Sequence, residues 1–135
     1  MAGVAAPRIG PLQPTQLICI IDDDESVRVA TACLVRSLGY RAQTFASAEE
    51  FLQSPFLSEA SCLIVDVQMP KTSGIELQHL LRANGISTPI IFITAFPEQR
   101  LKARALDDAS CLLSKPFDSK VLIECLGTAL RQASD

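Results

Sequence analysis

The sequence predicts an α/β fold of the flavodoxin-like kind, a (βα)5 three-layer sandwich whose parallel sheet runs in the order 2-1-3-4-5. Three observations predict it. Short apolar runs begin near residues 17, 41, 62, 89 and 110 and alternate with segments of helical spacing, the pattern of repeated right-handed β-α units. Four of the runs are almost wholly apolar, as strands covered on both faces by helices require, while the second alternates and suits a sheet edge. Finally, four polar stations, Asp22-Asp23, Asp66, Thr94 and Lys115, fall at the ends of four of these runs. They therefore share the carboxyl edge of one sheet, where open α/β folds bind ligands.

The elements follow in order. The first strand, β1, is Leu17–Ile21. Asp24 caps helix α1, in which Val27, Ala30, Leu34 and Leu38 recur at three and four residues, give one helix face and stop before Gly39. Arg41–Phe45 is the alternating edge strand β2. Ser47 and Glu50 have capping-box spacing ahead of Phe51 and Leu52, the start of α2. Cys62–Val65 is β3, ending on Asp66. Ser73 and Glu76 are a second box, opening α3 with Leu77, Leu80 and Leu81, and Asn84-Gly85 stops it. Ile90–Ile93 is β4. Pro97 suits the first turn of α4, which runs to about Leu106. Cys111–Ser114 is β5, and Asp118 caps α5, whose apolar face is Leu122, Cys125, Leu126 and Ala129.

A chain of 135 residues, 48% of them apolar, suits one domain with a real core. Residues 1–16 hold three prolines and no signal-type apolar region, so they read as a flexible leader before a domain at 17–132 and a tail at 133–135. Net charge is −3 with Lys and Arg scattered, which argues against direct nucleic-acid binding. The longest apolar stretch, Ile90 to Phe96, is interrupted by Thr94 and too short to span a bilayer, so no membrane partner is expected. Five cysteines, with no C-x-x-C pair and each in an apolar segment, read as small buried hydrophobes in a reducing cytosol. A cytoplasmic location is expected.

Three carboxylates in one cleft repel: at ~4 Å and an effective dielectric of ~20, each like pair costs about 4 kcal/mol. Lys115 offsets one charge and leaves −2, which a hard divalent cation neutralises. Carboxylate oxygens with no His or Cys nearby suit Mg²⁺. An acidic Mg²⁺ site with a lysine and a hydroxyl is an apparatus for phosphoryl transfer, in which a carboxylate can itself be the nucleophile.

Four motifs then carry a family resemblance. Ile20-Ile21-Asp22-Asp23-Asp24, Val65-Asp66-Val67-Gln68-Met69-Pro70 with Gly74, Ile93-Thr94-Ala95, and Lys115-Pro116-Phe117 together resemble the receiver domain of two-component response regulators, over residues ~17 to 132. The stretch Phe45-Ala46-Ser47-Ala48-Glu49-Glu50-Phe51-Leu52 resembles the FixJ-like subgroup of this CheY-like superfamily. The resemblance implies that Asp66 is the phosphoacceptor, phosphorylated by a sensor histidine kinase or phosphotransfer protein. It implies Mg²⁺ held by Asp23, Asp66 and the Gln68 carbonyl, with Asp22 acting mainly through a bound water. Thr94, the Ala95 N–H and Lys115 would meet the phosphoryl group, and the Lys115–Pro116 bond would be cis. The α4-β5-α5 face would switch and could mediate a dimer. Activity of its own would be limited to self-phosphorylation from small donors and self-dephosphorylation, so the chain is not expected to be an enzyme.

The sequence departs from the family at three places. Leu112 replaces the usual switch aromatic three residues before the lysine. Asp107-Asp108-Ala109 stands where a glycine is common. Phe96, two residues after Thr94, occupies with Gln68 a position that influences phosphoryl lifetime.

Two other readings use the same residues. A phosphohydrolase of the haloacid dehalogenase type would take Asp22, Asp24, Thr94 and Lys115, but it leaves Asp66 unused and lacks a later acidic pair. A phosphate-independent pseudo-receiver would keep the fold and need no intact acid set. His79 reads as a plain helix residue, and Arg100, Lys102 and Arg104 as either a solvated helix face or a partner surface. A large apolar side chain at Phe96 excludes hydrolytic water, so self-dephosphorylation is expected to be slow. Phe96→Glu should accelerate loss of the phosphoryl group, measured as decay of radiolabel, and an unchanged rate would sink the idea.

Overall fold

Period-two patterning gives every central strand two apolar faces, and the structure uses both. The computed structural model describes residues 16–95 and 111–134. Strands β1 (Leu17–Ile21), β2 (Arg41–Phe45), β3 (Cys62–Asp66), β4 (Ile90–Thr94) and β5 (Cys111–Ser114) form one parallel sheet in the order β2-β1-β3-β4-β5. This is the predicted 2-1-3-4-5 order, with β2 at an edge. The expected α4 and residues Phe96, Arg100, Lys102, Arg104 and Asp107-Asp108-Ala109 lie outside the described residues.

One sheet face carries Leu17, Cys19, Ile21, Leu63, Val65 and Phe92, packed against α2 (Ala48–Leu52) and α3 (Gly74–Ala83) through Phe51, Leu77 and Leu81. The other face carries Ile18, Ile20, Ile64, Ile91 and Ile93, packed against α1 (Glu25–Ser37) and α5 (Ser119–Ser134) through Val35, Leu122 and Leu126. Alternate residues of one strand thus serve two cores, which forces near-continuous apolar runs in β1, β3 and β4. At the sheet edge, the Phe45 and Phe51 rings meet edge-on at 5.3 Å and 71°.

Polar side chains set the helix ends. Asp24 accepts from the N–H groups of Ser26 and Val27 at 2.9 and 3.4 Å, satisfying donors that the first turn of α1 leaves free. Ser73 and Glu76 make the reciprocal box at the start of α3. At α2 only half of the expected box forms. Ser47 Oγ accepts from Glu50 N–H, but Glu50 Oε1 takes the N–H of Ala46 rather than that of Ser47. Asp118 Oδ1 accepts from Lys120 N–H at the head of α5. Asn84 caps α3, and Gly85 follows at φ 76°.

Two expectations are corrected. The fully buried residues of α1 are Thr31, Ala32 and Val35, and of the expected face of Val27, Ala30, Leu34 and Leu38 only Val27 and Leu34 pack against that core. Ala30 and Leu38 are exposed, and Val27 and Leu34 are only partly covered. The smaller residues lie under the helix, while Val27, Ala30 and Leu34 turn toward the Lys115–Ser119 segment and line a cleft of about 570 Å³ with it. The cysteines also divide. Cys19 and Cys62 are buried and free, as expected, and burial pushes both thiols up to about 12. Cys33 is exposed on α1, and Cys125 is disulfide-bonded.

Gly74 opens α3 directly beneath the end of β3. A Cβ there would lie 2.5 Å from the Asp66 carbonyl oxygen and 3.1 Å from Val67 Cα, so the backbone would have to give. Gly74→Ala is expected to destabilise the fold by about 1–3 kcal/mol, read as a lower urea midpoint.

Candidate functional site

Ladder hydrogen bonds continue past three of the strands that carry the polar stations. Asp22 N–H donates to Phe45 O at 3.1 Å, Val67 N–H to Ile93 O at 2.8 Å, and Lys115 N–H to Thr94 O at 2.8 Å. The residues after β1, β3 and β5 are therefore placed by the sheet rather than by free loops. The chain leaving Asp66 returns through Gly74 N–H, bonded to Val67 O at 2.9 Å. Lys71 bends it back at φ 66°, and Thr72 Oγ1 donates to Glu49 Oε2 on α2.

The resulting cluster is acidic and largely buried. Asp22 is fully buried, Asp66 is 5% exposed, and Asp23 is exposed at the mouth. Oxygen atoms of the three all lie within 4.8 Å of one another. Lys115 Nζ stands 3.0 Å from Asp22 Oδ2 and 3.2 Å from Asp66 Oδ2, across the point where strand order reverses between β1 and β3. Burial acts to lower the lysine's pKa, but the two carboxylates outweigh it and the value is raised, so the ammonium is charged. Asp66 Oδ1 accepts from Gln68 N–H at 3.2 Å, and the Gln68 residue is exposed at the rim. The Lys115–Pro116 peptide is cis.

Thr94 is fully buried at the end of β4, in register with Ser114, and Ala95 follows it, exposed. Leu112 packs against the core on the α2 and α3 side. His79 is exposed on α3. The sequence reading missed Arg28, whose Nη1 donates to the Asp22 carbonyl at 2.8 Å. A basic residue six positions after Asp22 was the available signal, and it looked like an ordinary helix surface residue. Thr72 and Glu49 were missed as a pair because they are 23 residues apart.

The cluster fits a hard cation. Its donors are carboxylate oxygens, and Lys115 leaves two of three negative charges unmatched. Asp22 Oδ2 is buried and, although within ion-pairing distance of Lys115, has no donor aligned for a hydrogen bond. Buried acceptor atoms without aligned donors are unusual and call for an ion or water. Mg²⁺ suits such a set, keeping waters for its remaining positions.

Burial first, and then the charge of Asp22, push the Asp66 carboxyl up from 3.8 to about 6, against the pull of Lys115 and the Gln68 N–H. Because the folded value is above the unfolded one, ionising Asp66 destabilises the fold, with the cost appearing above about pH 4 and complete above about pH 6. Without metal, Asp66→Asn is expected to be more stable than wild type at pH 7 by about 1–2 kcal/mol after solvent screening. That gain should disappear below about pH 4, as followed by urea unfolding at both pH values.

Comparison with known proteins agrees with this arrangement. The profile of the response regulator receiver domain matches residues 18–127. Response regulator protein TmoT of Ectopseudomonas mendocina is 38% identical over 122 residues, covering 87% of this chain and 54% of TmoT. Transcriptional regulatory protein FixJ of Azorhizobium caulinodans is 32% identical over 117 residues, covering 86% of this chain and 56% of FixJ. The chain thus spans about half the length of these curated relatives. The crystal structure of FixJ-N superposes with a TM-score of 0.77 at 30% identity, covering 88% of this chain and 96% of that one. With the β2-β1-β3-β4-β5 sheet and the acidic switch-point cluster, these matches establish that the chain belongs to the response regulator receiver domains of two-component systems, of the FixJ-like kind.

Proposed function

We propose that Asp66 accepts a phosphoryl group from a sensor histidine kinase or phosphotransfer protein and that the domain switches its surface in response. The observation that carries this reading is the placement of Asp66. It ends a central strand, faces Asp22 and Asp23, and pairs through Oδ2 with Lys115. In the step, an Asp66 carboxylate oxygen bonds to phosphorus as the bond from phosphorus to the donor's imidazole nitrogen breaks, and the electron pair leaves with the imidazole. Asp23, Asp66 and the Gln68 carbonyl would hold Mg²⁺, with Asp22 acting mainly through a bound water, and the ion would supply positive charge to the phosphoryl oxygens. Lys115 leaves Asp66 Oδ2 for a phosphoryl oxygen, while the Thr94 hydroxyl and the Ala95 N–H donate to the others.

Asp22 is a poor candidate for the nucleophile. It is fully buried, its Oδ1 accepts from Asp24 N–H at 2.9 Å, and its Oδ2 faces Lys115. This disfavours the phosphohydrolase alternative.

The cleft between α1 and the Lys115–Ser119 segment supports a docking place for the donor. Val27, Ala30, Leu34, Pro116 and Phe117 line it beside the acidic cluster. Switching and dimerisation are assigned to the α4-β5-α5 face. Of that face, α5 exposes Val121 at 39%, while α4 is outside the described residues. FixJ is a transcriptional regulatory protein roughly twice as long as the matched region. A nucleic-acid output belongs to such a longer protein, and the scattered Lys and Arg of these 135 residues argue against direct contact by this domain. Self-phosphorylation from small donors such as acetyl phosphate, and slow self-dephosphorylation, complete the proposal.

Beryllofluoride with Mg²⁺ is expected to bind wild type and not Asp66→Asn. Acid-labile phosphoryl label from acetyl phosphate should likewise be absent from Asp66→Asn and from wild type stripped of divalent cations. Dependence on Asp22 alone would support the phosphohydrolase, and binding without Asp66 would overturn the assignment.

A further inference from the structure

We propose that Arg28 is a positioning residue for this site, aiming the Asp22-Asp23 pair at the cation through the main chain of Asp22. The inference rests on the reading of the acidic cluster as a Mg²⁺ site.

Three polar atoms of Asp22 are hydrogen-bonded, and the fourth lies within ion-pairing distance of Lys115. Its N–H donates to Phe45 O at 3.1 Å, and its Oδ1 accepts from Asp24 N–H at 2.9 Å. Its Oδ2 lies 3.0 Å from Lys115 Nζ, and its carbonyl accepts from Arg28 Nη1 at 2.8 Å. These contacts differ in permanence. Lys115 also pairs with Asp66 and, in the proposed function, shifts toward the phosphoryl group. The Phe45 bond fixes only the end of β1. The bond from Asp24 lies within the turn itself and moves with it.

Arg28 ties the turn from outside through the Asp22 carbonyl. Its own N–H donates to Asp24 O at 3.0 Å while its side chain reaches Asp22 O. One residue in α1 thus brackets Asp22-Asp23-Asp24 from both ends. Asp23 lies inside that bracket, exposed, with no hydrogen bond to its carboxylate among the described residues. The backbone turn alone therefore aims the Asp23 ligand atoms. A guanidinium suits the task because it remains charged, and here it binds a carbonyl, leaving the carboxylates to the cation.

Position and charge predict opposite signs. If Arg28 acted only by its charge, it would repel a divalent cation, and removing it would tighten binding. If it positions the turn, removing it loosens the ligands. Outer partners that orient metal ligands are commonly worth about 10–100-fold in metal affinity.

The test titrates the full chain with Mg²⁺ by calorimetry and with Mn²⁺ by electron paramagnetic resonance, without any phosphoryl donor. Arg28→Ala is expected to bind both ions about tenfold or more weakly. Arg28→Lys keeps the charge but loses the planar fork, and it should fall between the two. Thermal melting without metal identifies any variant that fails to fold, in which case Arg28→Lys and Arg28→Gln carry the comparison. Unchanged or tighter binding in folded variants overturns the proposal. If wild type binds the ions but takes up no phosphoryl group, the phosphoacceptor reading fails while the role of Arg28 still stands or falls on the titration. If wild type binds neither ion, both fail together.

Discussion

The Lys115 ammonium between Asp22 Oδ2 and Asp66 Oδ2 is the contact on which the acidic edge depends. Burial first, and then the charge of Asp22 beside it, raise the cost of ionising Asp66. One cation placed between them, 18% exposed, lets both remain near the sheet. It also joins three strand ends, since Lys115 follows β5 while its partners follow β1 and end β3. The compensation is incomplete: three acids face one lysine, and that charge deficit fits a divalent ion.

The rest of the fold supplies a rigid frame for that contact. Ladder hydrogen bonds extend past β1, β3 and β5, so acid and base sit on backbone as fixed as the sheet itself. Below them, Gly74 lets α3 begin in contact with the Asp66 carbonyl, a closeness that a Cβ would forbid. Beside them, the Thr72–Glu49 bond ties the loop after Asp66 to α2 and holds the Glu49 carboxyl below its usual range. Asp66 is therefore surrounded by contacts from several elements, the arrangement in which a local change of charge would bear on a larger surface.

Much of this was legible in the residues. The wholly apolar runs of β1, β3 and β4 announced strands covered on both faces, and the alternating Arg41–Phe45 announced an edge. The Asp24 cap, the Ser73–Glu76 box and the Leu122, Cys125, Leu126, Ala129 face of α5 were visible because caps and helical periodicity are local. Where the reading failed, the deciding neighbour was remote. The face of α1 was misjudged because Thr31 is a polar residue that the sheet nevertheless covers, while Ala30 is apolar and exposed. Cys33 lies in an apolar segment but points outward, and the Glu50 side chain chose Ala46 over Ser47.

The sequence by itself determined the element order, the α/β class and the four polar stations, because each depends on spacing along the chain and on the rule that ligands gather at strand carboxyl ends. Only the tertiary structure decided how those stations share charge: which oxygen of Asp66 faces Lys115 and which accepts from Gln68, that Asp22 is buried while Asp23 is open, and that Arg28 donates to the Asp22 carbonyl. The physical reason is that pairing, desolvation and aim are set by distances between residues far apart in sequence, such as the 49 positions separating Asp66 from Lys115, and no local pattern encodes them.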